Sequence, residues 1–128
     1  MNRHTAIVAG LVLVAVLATA FALPSYRPAF AATVNADITP GAASKTTDAY
    51  SPNPVQAKEH DTVVWTNKDT ALHTVTSGTS ATPDGKFGVQ SDKTTPILIP
   101  PGKTFQFTFD ESGDFPYFCM LHPAMVGT

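Results

Sequence analysis

A chain of 128 residues, with a formal charge of −2 and 43% hydrophobic residues, has room for one domain. It carries no basic cluster, which sets nucleic acid aside as a partner. Its only cysteine, Cys119, excludes an internal disulfide.

The first element is apolar. Thr5 to Leu23 holds no charged residue and follows Arg3. Such a block is either the core of a secretory signal or a membrane anchor, expected as a leader helix. Ala29-Phe30-Ala31 reads as an A-x-A cleavage site, so residues 1–31 are expected to be removed after Ala31, an uncleaved anchor being the alternative. Both readings place a domain at 32–128 outside the cytoplasm. There six lysines face ten acidic residues, a balance that suits a basic docking partner. A lone thiol in that setting is either buried and inert or held by a metal.

Thr33 to Thr39 alternates as a first strand, and Pro40 to Lys45 is a turn and loop. Pro52 and Pro54 confine any strand in Tyr50 to Lys58 to a sheet edge. Thr62 to Thr66 is β-branched and aromatic, with Val63 and Trp65 facing the core. After a polar turn, His73 to Thr76 resumes a strand, and Gly78 to Pro96 reads as a long loop. Ile97-Leu98-Ile99 is expected as a brief strand. Pro101-Gly102 supplies the two central positions of a type II turn. Phe105, Phe107 and Phe109 alternate with Gln106 and Thr108 as a half-buried strand. Phe115 to Cys119 is the last full one, with Phe115, Tyr117 and Cys119 on one face. Seven to eight short strands, with no amphipathic helix after residue 31, define an all-β sandwich.

The chemistry is concentrated in the tail. Cys119, His122 and Met125 follow one another at three-residue steps, and His73 lies upstream. There is no C-x-x-C-H for haem and no second cysteine for the usual structural zinc sites. A cysteine nucleophile paired with His122 would leave Met125 without a role. Two imidazoles, a thiolate and a weak axial thioether are the donors of a blue-copper electron-transfer site. Taken singly, a histidine in a strand is ordinarily structural, and Met125 could be a core gap-filler.

Trp65-Thr66-Asn67, His73-Thr74-Val75 and Tyr117-x-Cys119-x-x-His122-Pro123-x-Met125 together resemble the plastocyanin/amicyanin group of cupredoxins. The two-residue gap between His122 and Met125 is more like amicyanin. The resemblance spans residues 32–128 and implies a Greek-key β-sandwich. It further implies one copper ion cycling between Cu(I) and Cu(II), with His73, Cys119 and His122 in the trigonal plane and Met125 axial. It implies that Asn67 donates its backbone N–H to the thiolate while its side chain ties the two ligand segments. Met120 stands where the hydroxyl partner for that side chain is expected. At His60 the family usually has glycine, so His60 is read as left-handed backbone and as solvated. The chain after Met125 is short, which predicts a short last strand and a copper-free form less stable than that of relatives.

The function implied is a monomeric extracytoplasmic electron carrier, not an enzyme, meeting redox proteins through an apolar patch around His122 formed by Leu72, Leu121, Pro123 and Ala124. A copper chaperone or storage protein of the cell envelope is the alternative, disfavoured by the single cluster. A fragment of a multicopper enzyme would need histidines for a second centre, and His60 is the only spare.

Overall fold

The computed structural model describes residues 30–128; the expected leader lies outside the described residues. Eight strands form there: β1 Thr33–Ile38, β2 Tyr50–Ser51, β3 Thr62–Asn67, β4 Thr76–Thr79, β5 Thr82–Pro83, β6 Thr104–Thr108, β7 Tyr117–Phe118 and β8 Val126–Gly127. They make two four-stranded sheets, β2-β1-β3-β6 and β5-β4-β7-β8. β1 runs parallel to β3, and the other pairs are antiparallel. No helix among the described residues is long and apolar enough to cross a membrane.

Period-2 alternation on β3 puts Val63, Trp65 and Asn67 inward, all buried, with Thr62, Val64 and Thr66 on the other face. Ala36 and Ile38 of β1 join them. The Trp65 ring meets Phe87, Phe105, Phe109 and Tyr117, with centroids 5.5–6.5 Å apart. Its indole N–H is satisfied by the Tyr117 hydroxyl at 3.2 Å. This aromatic cluster bridges the two sheets and fixes their spacing. β7 and β8 pair as tightly as they do because position 127 is glycine: a Cβ there would stand 2.4 Å from the Tyr117 ring. Gly127→Ala is expected to cost about 1–3 kcal/mol through overpacking. Denaturant melts of the copper-free variant would read this cost; an unchanged midpoint would refute it.

Several expectations hold. β2 is an edge strand, Val63 and Trp65 are core, and Phe105 and Phe107 lie half-buried on β6 with Phe109 just beyond it. The Pro100–Lys103 turn closes with a 3.0 Å bond from Lys103 N–H to the Pro100 carbonyl, with Gly102 at φ 75°.

Others are corrected. Ile97-Leu98-Ile99 is no strand; only Ile99 bridges, to His73, and Leu98 is exposed. Flanking prolines at 96 and 100 remove the donors that a ladder would need. The strand expected from His73 begins instead at Thr76, because the Thr74 N–H turns to the Cys119 sulfur. The expected loop from Gly78 contains the β4–β5 hairpin, turned by Ser80 and Ala81 at φ 52° and 60°. Phe115 to Cys119 is a strand only at Tyr117 and Phe118.

Burial pushes the Tyr117 phenol up to about 12, and it raises Tyr50 well above its ordinary value with help from the neighbouring Cys119. Both phenols are therefore harder to ionise folded than unfolded, where the value is about 10. The stability this lends is complete below pH 10 and is lost as pH rises from about 10 towards 12. Denaturation midpoints should fall across that window from their value just below it, with tyrosinate absorbance appearing as the chain unfolds. A midpoint that stays flat through the window would contradict the assignment.

Candidate metal centre

The tail loop organises itself. β7 ends at Phe118, and Cys119 opens a turn closed by His122 N–H to the Cys119 carbonyl (3.2 Å) and Met125 N–H to the His122 carbonyl (2.9 Å). Cys119 N–H then reaches across to the Met125 carbonyl at 3.0 Å, shutting the loop. β8 follows at once. The chain end is held by Val55 N–H on the Thr128 carbonyl (2.9 Å) and Thr128 N–H on the Asn53 side chain (3.1 Å). The last strand is short, as expected, but the loop is secured on both sides by the protein itself.

His73 is delivered by a second segment. It exchanges two backbone bonds with Ile99 (3.3 and 2.8 Å). Ahead of it, the buried Asn67 side chain donates to the carbonyls of Ala71 (2.8 Å) and Ile99 (2.9 Å) and accepts from Asp69 N–H (2.9 Å). Asn67 thus braces the His73 turn from within. The role expected for it at the thiolate is corrected: Asn67 N–H donates to the Lys103 carbonyl, and its side chain does not reach the tail loop. Thr74 makes that link. Its N–H points at Cys119 Sγ (3.4 Å), and its hydroxyl accepts from Met120 N–H (2.9 Å). The Thr74 carbonyl is in turn held by the Tyr50 hydroxyl at 2.6 Å.

These two segments bring His73 Nδ1, Cys119 Sγ and a ring nitrogen of His122 within 4.8 Å of one another. The sulfur is 3.7 Å from Nδ1 of each histidine. With zinc-like bonds of about 2.0 Å to imidazole and about 2.3 Å to thiolate, an N–S edge of that length subtends about 120° at the metal. One ion could therefore span both N–S edges, and the donor set fits a single metal. His73, Cys119 and Met125 are fully buried, and His122 is half-buried at the surface.

Sequence reasoning missed two residues here. Asp69 Oδ2 lies 2.7 Å from His73 Nε2, both groups buried. The His73 bond, with N–H donors from Gly41 and Thr70, holds the Asp69 carboxyl well below the usual carboxylate range against the opposing effect of burial. Its i, i+4 spacing from His73 was visible, but in a polar turn it reads as turn chemistry. Thr74 was the other.

Leu72, next to His73 in the chain, and Leu121, Pro123 and Ala124, flanking His122, are exposed, so Leu121 is a surface residue. His60 stands apart, at φ 70° and 3.2 Å from the exposed Asp110. A separate cavity of about 750 Å³, lined by Trp65, Phe109, Phe115 and Tyr117, opens by residues 54–60 near the start of β3. None of His73, Cys119, His122 and Met125 lines it.

A two-sheet sandwich carrying two imidazoles and a cysteine sulfur that meet, with a buried thioether on the same loop, defines a cupredoxin. The sequence profile of the plastocyanin/azurin family of copper-binding proteins matches residues 37–128, and the chain belongs to that family. Its structure is similar to a purple cupredoxin from Nitrosopumilus maritimus, with 27% identity and TM-score 0.62, over 73% of this chain and 94% of that one. It is also similar in fold to a reduced amicyanin variant, with 24% identity and TM-score 0.51, over 76% of this chain and 77% of that one. An oxidised amicyanin variant matches at 24% identity and TM-score 0.52, over 73% and 76%. The family's cofactor is a single copper ion.

Proposed function

We propose that the protein is a one-electron carrier in which His73, Cys119, His122 and Met125 would hold one copper ion. The observation that carries this reading is the meeting of three donor atoms within 4.8 Å from segments 46 residues apart. Bound there, copper would supply a Cu(I)/Cu(II) couple. The chain supplies the constancy. The donors are fixed by backbone bonds and by Thr74, so a change of oxidation state meets a frame that does not follow the metal's own preference. The half-buried His122, ringed by exposed apolar residues, is the exit for the electron. A surface of that kind suits weak, short-lived encounters with redox proteins as a monomer. No substrate chemistry is assigned, and the reading is not that of an enzyme.

The domain at 32–128 is proposed to work outside the cytoplasm once residues 1–31 are removed. Ala32 N–H donates to Asp61 Oδ1 at 2.7 Å, a position where a new α-ammonium would find its counter-charge. The intact mass of protein recovered from the native cell is expected to begin at Ala32. A mass retaining residues 1–31 would establish the anchor instead.

A redox titration of the copper-loaded protein tests the carrier. One copper per chain with a reversible one-electron wave is expected. A colourless protein that binds only Cu(I) and yields it readily to chelators would favour the chaperone.

A further inference from the structure

Behind His73, on the side away from Cys119, stands the buried carboxylate of Asp69. Its Oδ2 is 2.7 Å from His73 Nε2, while Oδ1 accepts N–H bonds from Gly41 (2.9 Å) and Thr70 (2.8 Å). The Asp69 backbone is itself held by Asn67 Oδ1 at 2.9 Å. An ionised carboxylate only accepts, so the proton of a neutral His73 must sit on Nε2. That leaves the lone pair on Nδ1, the atom 3.7 Å from Cys119 Sγ. His122 has no carboxylate behind it among the described residues. The two imidazoles are therefore unequal: one is backed by a fixed buried charge, the other faces solvent.

We propose that Asp69 is a positioning residue that sets the redox balance of the centre, fixing the His73 tautomer and favouring the oxidised state with its charge. The proposal rests on His73 being a copper ligand. A negative charge hydrogen-bonded to a ligand raises that ligand's basicity and stabilises the more highly charged metal state. The contact runs to the buried His73, where water screens the charge far less than at the surface. The carboxylate is anchored to Gly41, outside the His73 turn, so its placement does not depend on the metal.

Asp69→Asn keeps the size and one acceptor oxygen while removing the charge. The ratio of Cu(II) to Cu(I) affinity is expected to fall about tenfold, an upward shift of about 59 mV for a one-electron couple. Nitrogen chemical shifts of His73 in the copper-free wild type should show the proton on Nε2, a measurement that needs no variant to fold. The potential is compared between proteins that retain the thiolate-to-copper band. A retained band with an unchanged potential in Asp69→Asn, or a copper-free His73 protonated mainly on Nδ1, would overturn the role given to Asp69. A role confined to stability would lower the denaturation midpoint without moving the potential. A wild type with no such band would remove the ligand reading beneath it, and the proposal with it.

Discussion

Cys119→Ser is expected to abolish the visible absorption of the Cu(II) protein and to weaken Cu(I) binding by more than about 100-fold, beyond the 10–100-fold typical of outer-sphere changes. The thiolate is the soft donor that Cu(I) prefers and the source of the charge-transfer band. A serine oxygen is hard and remains protonated. The site also loses its internal fit. Thr74 N–H now points 3.4 Å into the sulfur and would face a smaller atom, while the new hydroxyl would sit in a fully buried position. Leaving that hydroxyl without a good partner costs about 1–3 kcal/mol. Far-UV dichroism on the copper-free variant separates this cost from loss of the metal. If the band survives the substitution, the chromophore lies elsewhere and the donor set is wrong.

Asn67→Ala is expected to destabilise the copper-free protein by about 3–5 kcal/mol, a large part of the 5–15 kcal/mol that holds a typical domain together. Three bonds go at once, leaving the Ala71 carbonyl and the Asp69 N–H without these partners and the Ile99 carbonyl with only its bond from His73 N–H. The Asp69 carboxylate behind His73 loses its seat in the same step. Asn67→Asp is expected to fare no better, since it keeps the acceptor for Asp69 N–H but sets negative charge against two carbonyls. Urea melts with an unchanged slope would give the size of the effect. A loss under 1 kcal/mol would mean that the His73 turn is held by its Ile99 bridge alone.

The sheet built on β3 and β6 was legible because its signals are local. Alternation in Thr62–Asn67 and in Phe105–Phe109 is enough to assign an inward face, and Pro-Gly after Ile99 is enough to assign a turn. The candidate donors of the tail were legible because Cys119, His122 and Met125 share one short spacing, and the structure brings His73 to Cys119 and His122. What escaped the sequence depends on partners far along the chain. Ile97-Leu98-Ile99 has the composition of a strand, yet it finds a single bridge at Ile99. The β4–β5 hairpin is turned by Ser80 and Ala81, neither of which advertises positive φ, so it read as loop. Thr74 looks like any strand threonine until the sulfur of a residue 45 positions away takes its N–H. Asn67 was picked out for the wrong bonds: resemblance pointed to its place beside the site but not to where its donors go.

The self-closed tail loop has a consequence for how the molecule comes together. Cys119, His122 and Met125 are arranged by bonds among themselves, whereas His73 joins only when contacts 46 residues apart have formed. Local contacts form early in folding, and distant ones wait for the chain to close. If Cys119, His122 and Met125 are ligands as proposed, a copper ion could therefore meet them on a chain that has not yet built its sandwich. Metal bound to an unfolded chain subtracts from the stabilisation that metal gives the folded one. On the ligand reading proposed above, the stability gained from copper measures chiefly what His73 and the burial around it add to a loop that could already hold the ion.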